Sequence, residues 1–256
     1  MPTPSAPTAA ATPAKAGNGG KTFVLLHGAW HGGWCWARVA EALRAAGHRV
    51  TTPTQTGLGE RRHLMSRDIT LETFVLDLVN HIEAEELHDV ILVGHSFGGA
   101  AISGAADRIP ERIRHLVYLD SVILEDGQTP FSTLPAEVVA GRRRQAQEEG
   151  GGVFIPAPPP PAFGVPADHP EAAWVARRLT PHPLGTYESP LRLSNPVGNG
   201  LPRTYVACTD PLYGPLEAAR RWVRGRPGWN WSEIATGHDA MITAPAELAR
   251  LLAGIG

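Results

Sequence analysis

The 256 residues carry 23 basic and 25 acidic side chains, a near-balance that excludes the electrostatic footprint of a nucleic-acid or anionic-membrane binder and points to a small neutral or weakly charged ligand. The length suits one large domain, or one domain with an insertion, with ample chain to bury its own core as a monomer or homodimer. Two cysteines, Cys35 and Cys208, are too few and too far apart for a disulfide framework or a CxxC metal site, so they are expected as buried or half-buried thiols in a reducing cytoplasm.

Residues 1–20, MPTPSAPTAAATPAKAGNGG, are small, proline-rich and polar, and read as a disordered leader rather than a targeting signal. No apolar run approaches the length of a membrane span. From Lys21 onward short apolar runs alternate with longer amphipathic ones: TFVLLH, Trp34 to Ala46, HRVTTP, Leu71 to Glu86, DVILVGH, Phe97 to Ala106, IRHLVYLD. Strands this short and this uniformly apolar belong to a parallel sheet covered by helices on both faces, which makes the chain an α/β protein of about six strands.

The composition changes after Asp120. GRRRQAQEEGGG, PAPPPPAFGVP and TPHPLGTYESPLRL predict short helices and proline-bound loops over 125–201, an inserted lid above the carboxyl edge of the sheet. The alternation resumes with RTYVACT, a helix from about Pro215 to Arg224, WNWSEIAT and a last helix from Pro245 to Leu252. Residues 21–124 and 202–256 thus form one core interrupted by the lid.

VILVGHSFGGAAISGAA contains GxSxG, with Gly94, Ser96 and Gly98, between an apolar strand and an Ala/Gly-rich helix. That strand–turn–helix setting is what a nucleophile elbow requires: the serine sits on a strained turn, and glycines beside it let helix and strand approach. A serine hydroxyl is a weak nucleophile near neutral pH and needs a base, and its tetrahedral intermediate needs hydrogen-bond donors. One donor is expected from the backbone N–H of Phe97. The other is expected from Ala29, in the turn LLHGAWHGGW after the first strand.

Eleven histidines compete for the role of base. His238 follows the last strand and precedes the last helix, at the edge where open α/β sheets bind ligands. His27 belongs to the oxyanion turn, His95 adjoins the serine but points away from it, and His31 and His63 could line the pocket entrance. For the orienting acid, the order Ser, Asp, His places Asp210 first, after the strand RTYVACT; Asp120, at the end of IRHLVYLD, is the rival. Asp239, adjacent to His238, is excluded because neighbouring side chains diverge.

These segments resemble the α/β-hydrolase superfamily. FVLLHGAWHGGWCW, VILVGHSFGG and TGHDAMITAP resemble the branch of plant methyl-salicylate-type esterases and hydroxynitrile lyases. They look closer still to its bacterial pyrethroid hydrolases and carbendazim-hydrolysing esterase type, which GHRVTTPTQTGLGER and CTDPLYGPLEAARRW also fit. The resemblance covers about residues 22–127 and 202–254. It implies Ser96 as nucleophile, His238 as base, Asp210 as acid, and Ala29 with Phe97 as oxyanion donors. It also departs from the pattern. The plant esterases carry their acid where this chain has Pro211, which keeps Asp120 in play. The lyases have threonine in place of Gly28 and lysine in place of Asp239, so lyase chemistry is not expected.

The expected activity is serine carboxylester hydrolysis of small to medium apolar esters through an acyl-serine, with no metal or cofactor, and with amide or carbamate hydrolysis by the same residues as the alternative. A slow-turnover ligand sensor on the same fold is the non-enzymatic alternative. The imidazole must be neutral for attack, so the rate is expected to fall with acid, over roughly pH 6 to 7 for an ordinary histidine. Trp30, Phe131, Phe154, Phe163, Trp174 and Tyr187 are the candidate walls of an apolar pocket. The run Arg142 to Arg144 reads as a solvated helical face, with recognition of an acyl carboxylate a lesser alternative.

Overall fold

The computed structural model describes residues 19–256; most of the expected leader lies outside them. Six parallel strands form the main sheet: β1 (Thr22–Leu26), β2 (Arg49–Thr51), β3 (Val90–His95), β4 (Ile113–Leu119), and, beyond the 125–201 segment, two more. That segment contributes its own two-residue strands β5 (Phe154–Ile155) and β6 (His182–Pro183), an antiparallel pair, before β7 (Arg203–Cys208) and β8 (Asn230–Ile234) complete the main sheet. The order β2-β1-β3-β4-β7-β8 makes β1 and β3 neighbours although β2 intervenes in the chain. The chain changes direction across the sheet between these two strands, and a crevice opens there at their carboxyl ends.

Alternation along each strand explains why the strand sequences are apolar throughout. Val24 and Leu26 face one core with Leu92, Leu116 and Tyr118, whereas Phe23 and Leu25 face the other with Ile91, Val93, Val117 and Leu119. The first core is covered by α2 (Leu71–Ala84) and α3 (Gly98–Arg108), the second by α1 (Ala37–Ala45) and the C-terminal helix Pro245–Ala253. In α2 the buried residues Leu71, Phe74, Val75, Leu78, Val79 and Ile82 repeat at three and four positions, one stripe of a helix. A capping box between Thr70 and Thr73 sets its start. No helix among the described residues is long and apolar enough to cross a membrane.

The segment between β4 and β7 departs from the expectation of short helices. Its first helix, α4 (Ala136–Gly150), is 15 residues long and contains the whole GRRRQAQEEG run. Pro135 stands just before it, and Gly151 ends it in the left-handed region at φ 56°. A proline and a glycine therefore mark the boundaries of one long helix. Two five-residue helices follow, α5 (Ala172–Ala176) and α6 (Leu184–Glu188), and after β7 come α7 (Glu217–Arg224), α8 (Ala240–Thr243) and the C-terminal α9 (Pro245–Ala253). Cys35 and Cys208 are both buried and free, and burial pushes both thiols above their ordinary range.

Candidate active site

Ser96 follows β3 with φ 53°, a left-handed conformation that a non-glycine residue adopts at a cost of roughly 1–3 kcal/mol when its surroundings enforce it. The surroundings are close-packed backbone. A Cβ on Gly98 would lie 2.8 Å from the His27 carbonyl oxygen, and one on Gly28 would lie 2.7 Å from the Ser96 Cβ. These two glycines let the elbow, the start of α3 and the turn after β1 touch. Behind the turn, Ser121 Oγ–H donates to the Ser96 carbonyl at 2.6 Å and the Val122 N–H donates to it at 3.1 Å.

The turn after β1 is held from its core side. His27 Nε2 accepts the Gln55 N–H at 3.1 Å, so its Nδ1–H is the donor to the Gly28 carbonyl at 2.8 Å. Burial, helped by repulsion from His31, drives the His27 pKa down to about 3 and keeps the ring neutral. In a trans peptide the C=O and N–H point opposite ways. With the Gly28 oxygen held against the His27 ring, the Ala29 N–H points away from that ring. Ala29 and Phe97 both border the cavity beside Ser96, and among the described residues neither N–H donates to a protein acceptor.

His238 lies in the loop between β8 and α8, buried, with Nε2 2.9 Å from Ser96 Oγ. Its Nδ1 donates to Asp120 Oδ2 at 2.7 Å, which leaves the Nε2 lone pair facing the hydroxyl. The His238 carbonyl accepts from His95 Nε2 at 3.0 Å, so His95 supports the base through its backbone and never reaches the serine. Burial, then the neighbouring His238 and His31, hold the His95 pKa well below the ordinary histidine value.

The acid at His238 is thus Asp120, the second choice from sequence, and Asp210 is corrected. Asp210 is exposed in the loop after β7, where its N–H donates to the Thr236 carbonyl while its side chain makes no hydrogen bond to His238. Asp120 is fully buried directly after β4, the strand beside the one that bears Ser96, with φ 36° turning its side chain under the histidine. Its other oxygen, Oδ1, accepts from Arg220 Nη1 at 3.1 Å, and Arg220 Nη2 donates to the Tyr213 carbonyl at 2.9 Å. Arg220 was not singled out from sequence: in EAARRW on α7 nothing local separates it from its exposed neighbour Arg221. Tyr213, also missed, stacks on the His238 ring with centroids 4.0 Å apart and planes 18° apart. Burial first, then the nearby Tyr187, raise its phenol to about 12, so it covers the base as a neutral ring.

Asp239 does not turn toward His238 but accepts from His31 Nε2 at 3.1 Å. His31 Nδ1 donates to the Ala29 carbonyl at 2.8 Å, so both ring nitrogens are donors. Burial opposes that charge, yet the Asp239 charge and hydrogen bond outweigh it and raise the His31 pKa. His95, His238 and Asp239 also cluster closely enough for a metal ion. The His238 nitrogens and His95 Nε2 are, however, already engaged in the hydrogen bonds described.

Of the six candidate wall residues, Trp30, Phe163 and Tyr187 border the cavity, together with Leu134, Arg142 and Tyr213. The other three candidates are corrected. Phe131 is buried beneath Tyr187 at 5.1 Å, Phe154 packs beneath Gly150 in the β5–β6 pair, and Trp174 packs edge-on against Trp34 at 5.0 Å. His31 reaches the cavity wall, whereas His63 is exposed outside it.

An elbow serine, a buried His–Asp pair and two backbone N–H groups, of Ala29 and Phe97, without protein acceptors among the described residues have the layout of a hydrolase-type site at the switch point of a parallel sheet. The model of the alpha/beta hydrolase family matches residues 23–251, and the chain belongs to that family. It is similar to a carbendazim hydrolyzing esterase of Nocardioides sp. (strain SG-4G), 45% identical over 91% of this chain and 99% of the relative. It is also similar to methylesterase 7 of Arabidopsis thaliana, 28% identical over 92% of this chain and 96% of the relative. Among solved structures, an extracellular alpha/beta-hydrolase from a Paenibacillus species, described as a structural and functional homologue of tobacco salicylic acid binding protein 2, superposes with a TM-score of 0.80. It shares 28% identity over 92% of this chain and 99% of that one.

Proposed function

We propose that the protein is a serine carboxylesterase acting on small to medium, mainly apolar esters, with Ser96 as nucleophile, His238 as base and Asp120 as the acid that orients it. The observation that carries this reading is the unbroken chain Asp120–His238–Ser96, at 2.7 and 2.9 Å, opening into an apolar cavity. The esterase relatives support it.

In the first half-reaction His238 Nε2 takes the Ser96 proton as Oγ attacks the ester carbonyl carbon. The carbonyl oxygen becomes an oxyanion held by the N–H groups of Ala29 and Phe97. Collapse expels the alkoxide, which receives the proton from His238 and leaves as the alcohol. In the second half-reaction water gives its proton to His238 and attacks the acyl-serine; the carboxylic acid departs and Ser96 regains its proton. Asp120 keeps Nδ1 protonated throughout and stabilises the imidazolium that forms in each half. The 125–201 segment acts as the cap, contributing Phe163, Tyr187 and Leu134 to the wall against which the apolar part of the ester packs.

A burst of p-nitrophenol from p-nitrophenyl butyrate, equal to the enzyme concentration and followed by steady turnover, is the expected signature, and Ser96→Ala should abolish both phases. Carbendazim is the next substrate to assay, because the 45% identical relative is named for hydrolysing it. Tight binding without turnover would replace the esterase by a sensor, and full turnover by Ser96→Ala would overturn the nucleophile.

A further inference from the structure

The cavity holds a cation that hydrolysis of a neutral ester does not require. In the run Arg142–Arg144 on α4, Arg143 pairs with Glu188 at 3.0 Å and Arg144 is exposed. Arg142 alone turns inward, half-buried, onto the wall that it shares with Ser96 and His238. It is the one Lys, Arg, Asp or Glu bordering that cavity among the described residues. This corrects the expectation of a uniformly solvated face.

Two aromatic rings hold the guanidinium, its central carbon lying 5.4 Å from the Trp30 ring centroid and 5.0 Å from that of Tyr187. Such packing displaces water from the guanidinium and restricts its orientation; the Tyr187 hydroxyl lies within reach of one N–H, and the others can meet an acceptor brought into the cavity. Among the described residues no carboxylate lies within ion-pair distance of Arg142. A partly dehydrated guanidinium without a counter-ion, beside a nucleophile, is complementary to a group that accepts two parallel hydrogen bonds. A carboxylate on the substrate supplies it.

We propose that Arg142 is a specificity residue that binds a carboxylate carried by the ester, so that the site prefers half-esters of dicarboxylic acids over neutral esters of the same shape. This rests on the serine-esterase reading of the same cavity. The apolar wall would receive the body of such a substrate, Ser96 its ester carbonyl and Arg142 its far end.

The test compares kcat/KM, by pH-stat, for two matched pairs: monomethyl terephthalate against methyl 4-methylbenzoate, and monomethyl adipate against methyl hexanoate. The proteins are the unmodified chain, Arg142→Met, Arg142→Lys, the charge-loss control Arg144→Met, and Ser96→Ala. The unmodified chain and Arg144→Met should favour the anionic member of at least one pair. In Arg142→Met that ratio should drop about tenfold to a hundredfold, the usual worth of a hydrogen bond to a charged group, and Arg142→Lys should retain part of it. Because a ratio is read, loss of the stacking contacts that slows both esters alike does not mimic the effect. An unchanged ratio in Arg142→Met, or an equal drop in Arg144→Met, overturns the proposal while leaving the esterase reading intact, provided that Ser96→Ala is inactive. Hydrolysis surviving in Ser96→Ala overturns both.

Discussion

His238 with Asp120 and His31 with Asp239 lie side by side at the carboxyl edge of the sheet, four buried residues in two pairs of the same chemical types. In each a carboxylate accepts from one imidazole nitrogen. The difference lies in what the other nitrogen meets. At His238 it is the Ser96 hydroxyl, which can be donor or acceptor, so the ring can take a proton and give it back. At His31 it is the Ala29 carbonyl, which can only accept, so both ring nitrogens donate and no lone pair is left to take up a further proton. A His–Asp pair is therefore read by its third partner: in the proposed mechanism one pair moves a proton, whereas the other braces the turn that carries Ala29.

The comparison breaks first at the acid. Asp120→Asn should lower kcat about 10⁴-fold, since an amide no longer selects the Nδ1–H tautomer, and Asp210→Asn should stay within about twofold. Steady-state kinetics on p-nitrophenyl butyrate decides it; the reverse ranking would return the role to Asp210. Next in size is the second pair. Asp239→Asn strands the His31 charge, or forces it off, and should cost about 3–5 kcal/mol of stability, on the order of 10 °C in Tm. Calorimetry reads that loss, and a kcat penalty as large as that of Asp120→Asn would show that the pairs are not divided as described. The smallest effect comes from pH. His27, His95 and His182 are buried with lowered pKa values, so below about 6.5 the unfolded chain binds protons that the folded one does not, and stability falls with acid. His31 runs the other way: its raised pKa contributes stability that is complete below about 6.5 and is lost as pH climbs through the raised value. Tm should therefore peak near neutrality, and Asp239→Asn should flatten the alkaline limb alone.

What could be read from the sequence was local. The elbow, the turn after β1 and each core strand are contiguous segments whose apolar runs and glycines encode their own geometry, and they fell where expected. The acid was not local. Asp120 and Asp210 each stand just beyond neighbouring strands, β4 and β7, and both satisfy the strand-end pattern. The choice is made by how far the His238 loop returns over the sheet and by Arg220, 100 residues from Asp120, whose guanidinium steadies one of the two carboxylates. The segment before β7 was misread for a different reason. Proline and glycine at 135 and 151 are compatible with a broken stretch or with the two ends of one helix, and only the packing of Arg142 and Ala146 inward distinguishes them. The five candidate aromatic residues of that segment divided, Phe163 and Tyr187 on the wall and Phe131, Phe154 and Trp174 behind it, because aromatic side chains serve both settings equally well.

The His27 contact with the Gly28 carbonyl has a consequence for inhibitors. A neutral ring that does not titrate above strongly acidic pH holds that peptide, so on the proposed oxyanion role of Ala29 its N–H is set before any ligand arrives. A boronic acid or trifluoromethyl ketone, which becomes anionic and tetrahedral on Ser96, meets a finished receptor rather than one that must first rearrange. Its capture should follow a single concentration-dependent phase, with no slow tightening step, and its residence time should be set by the covalent bond alone.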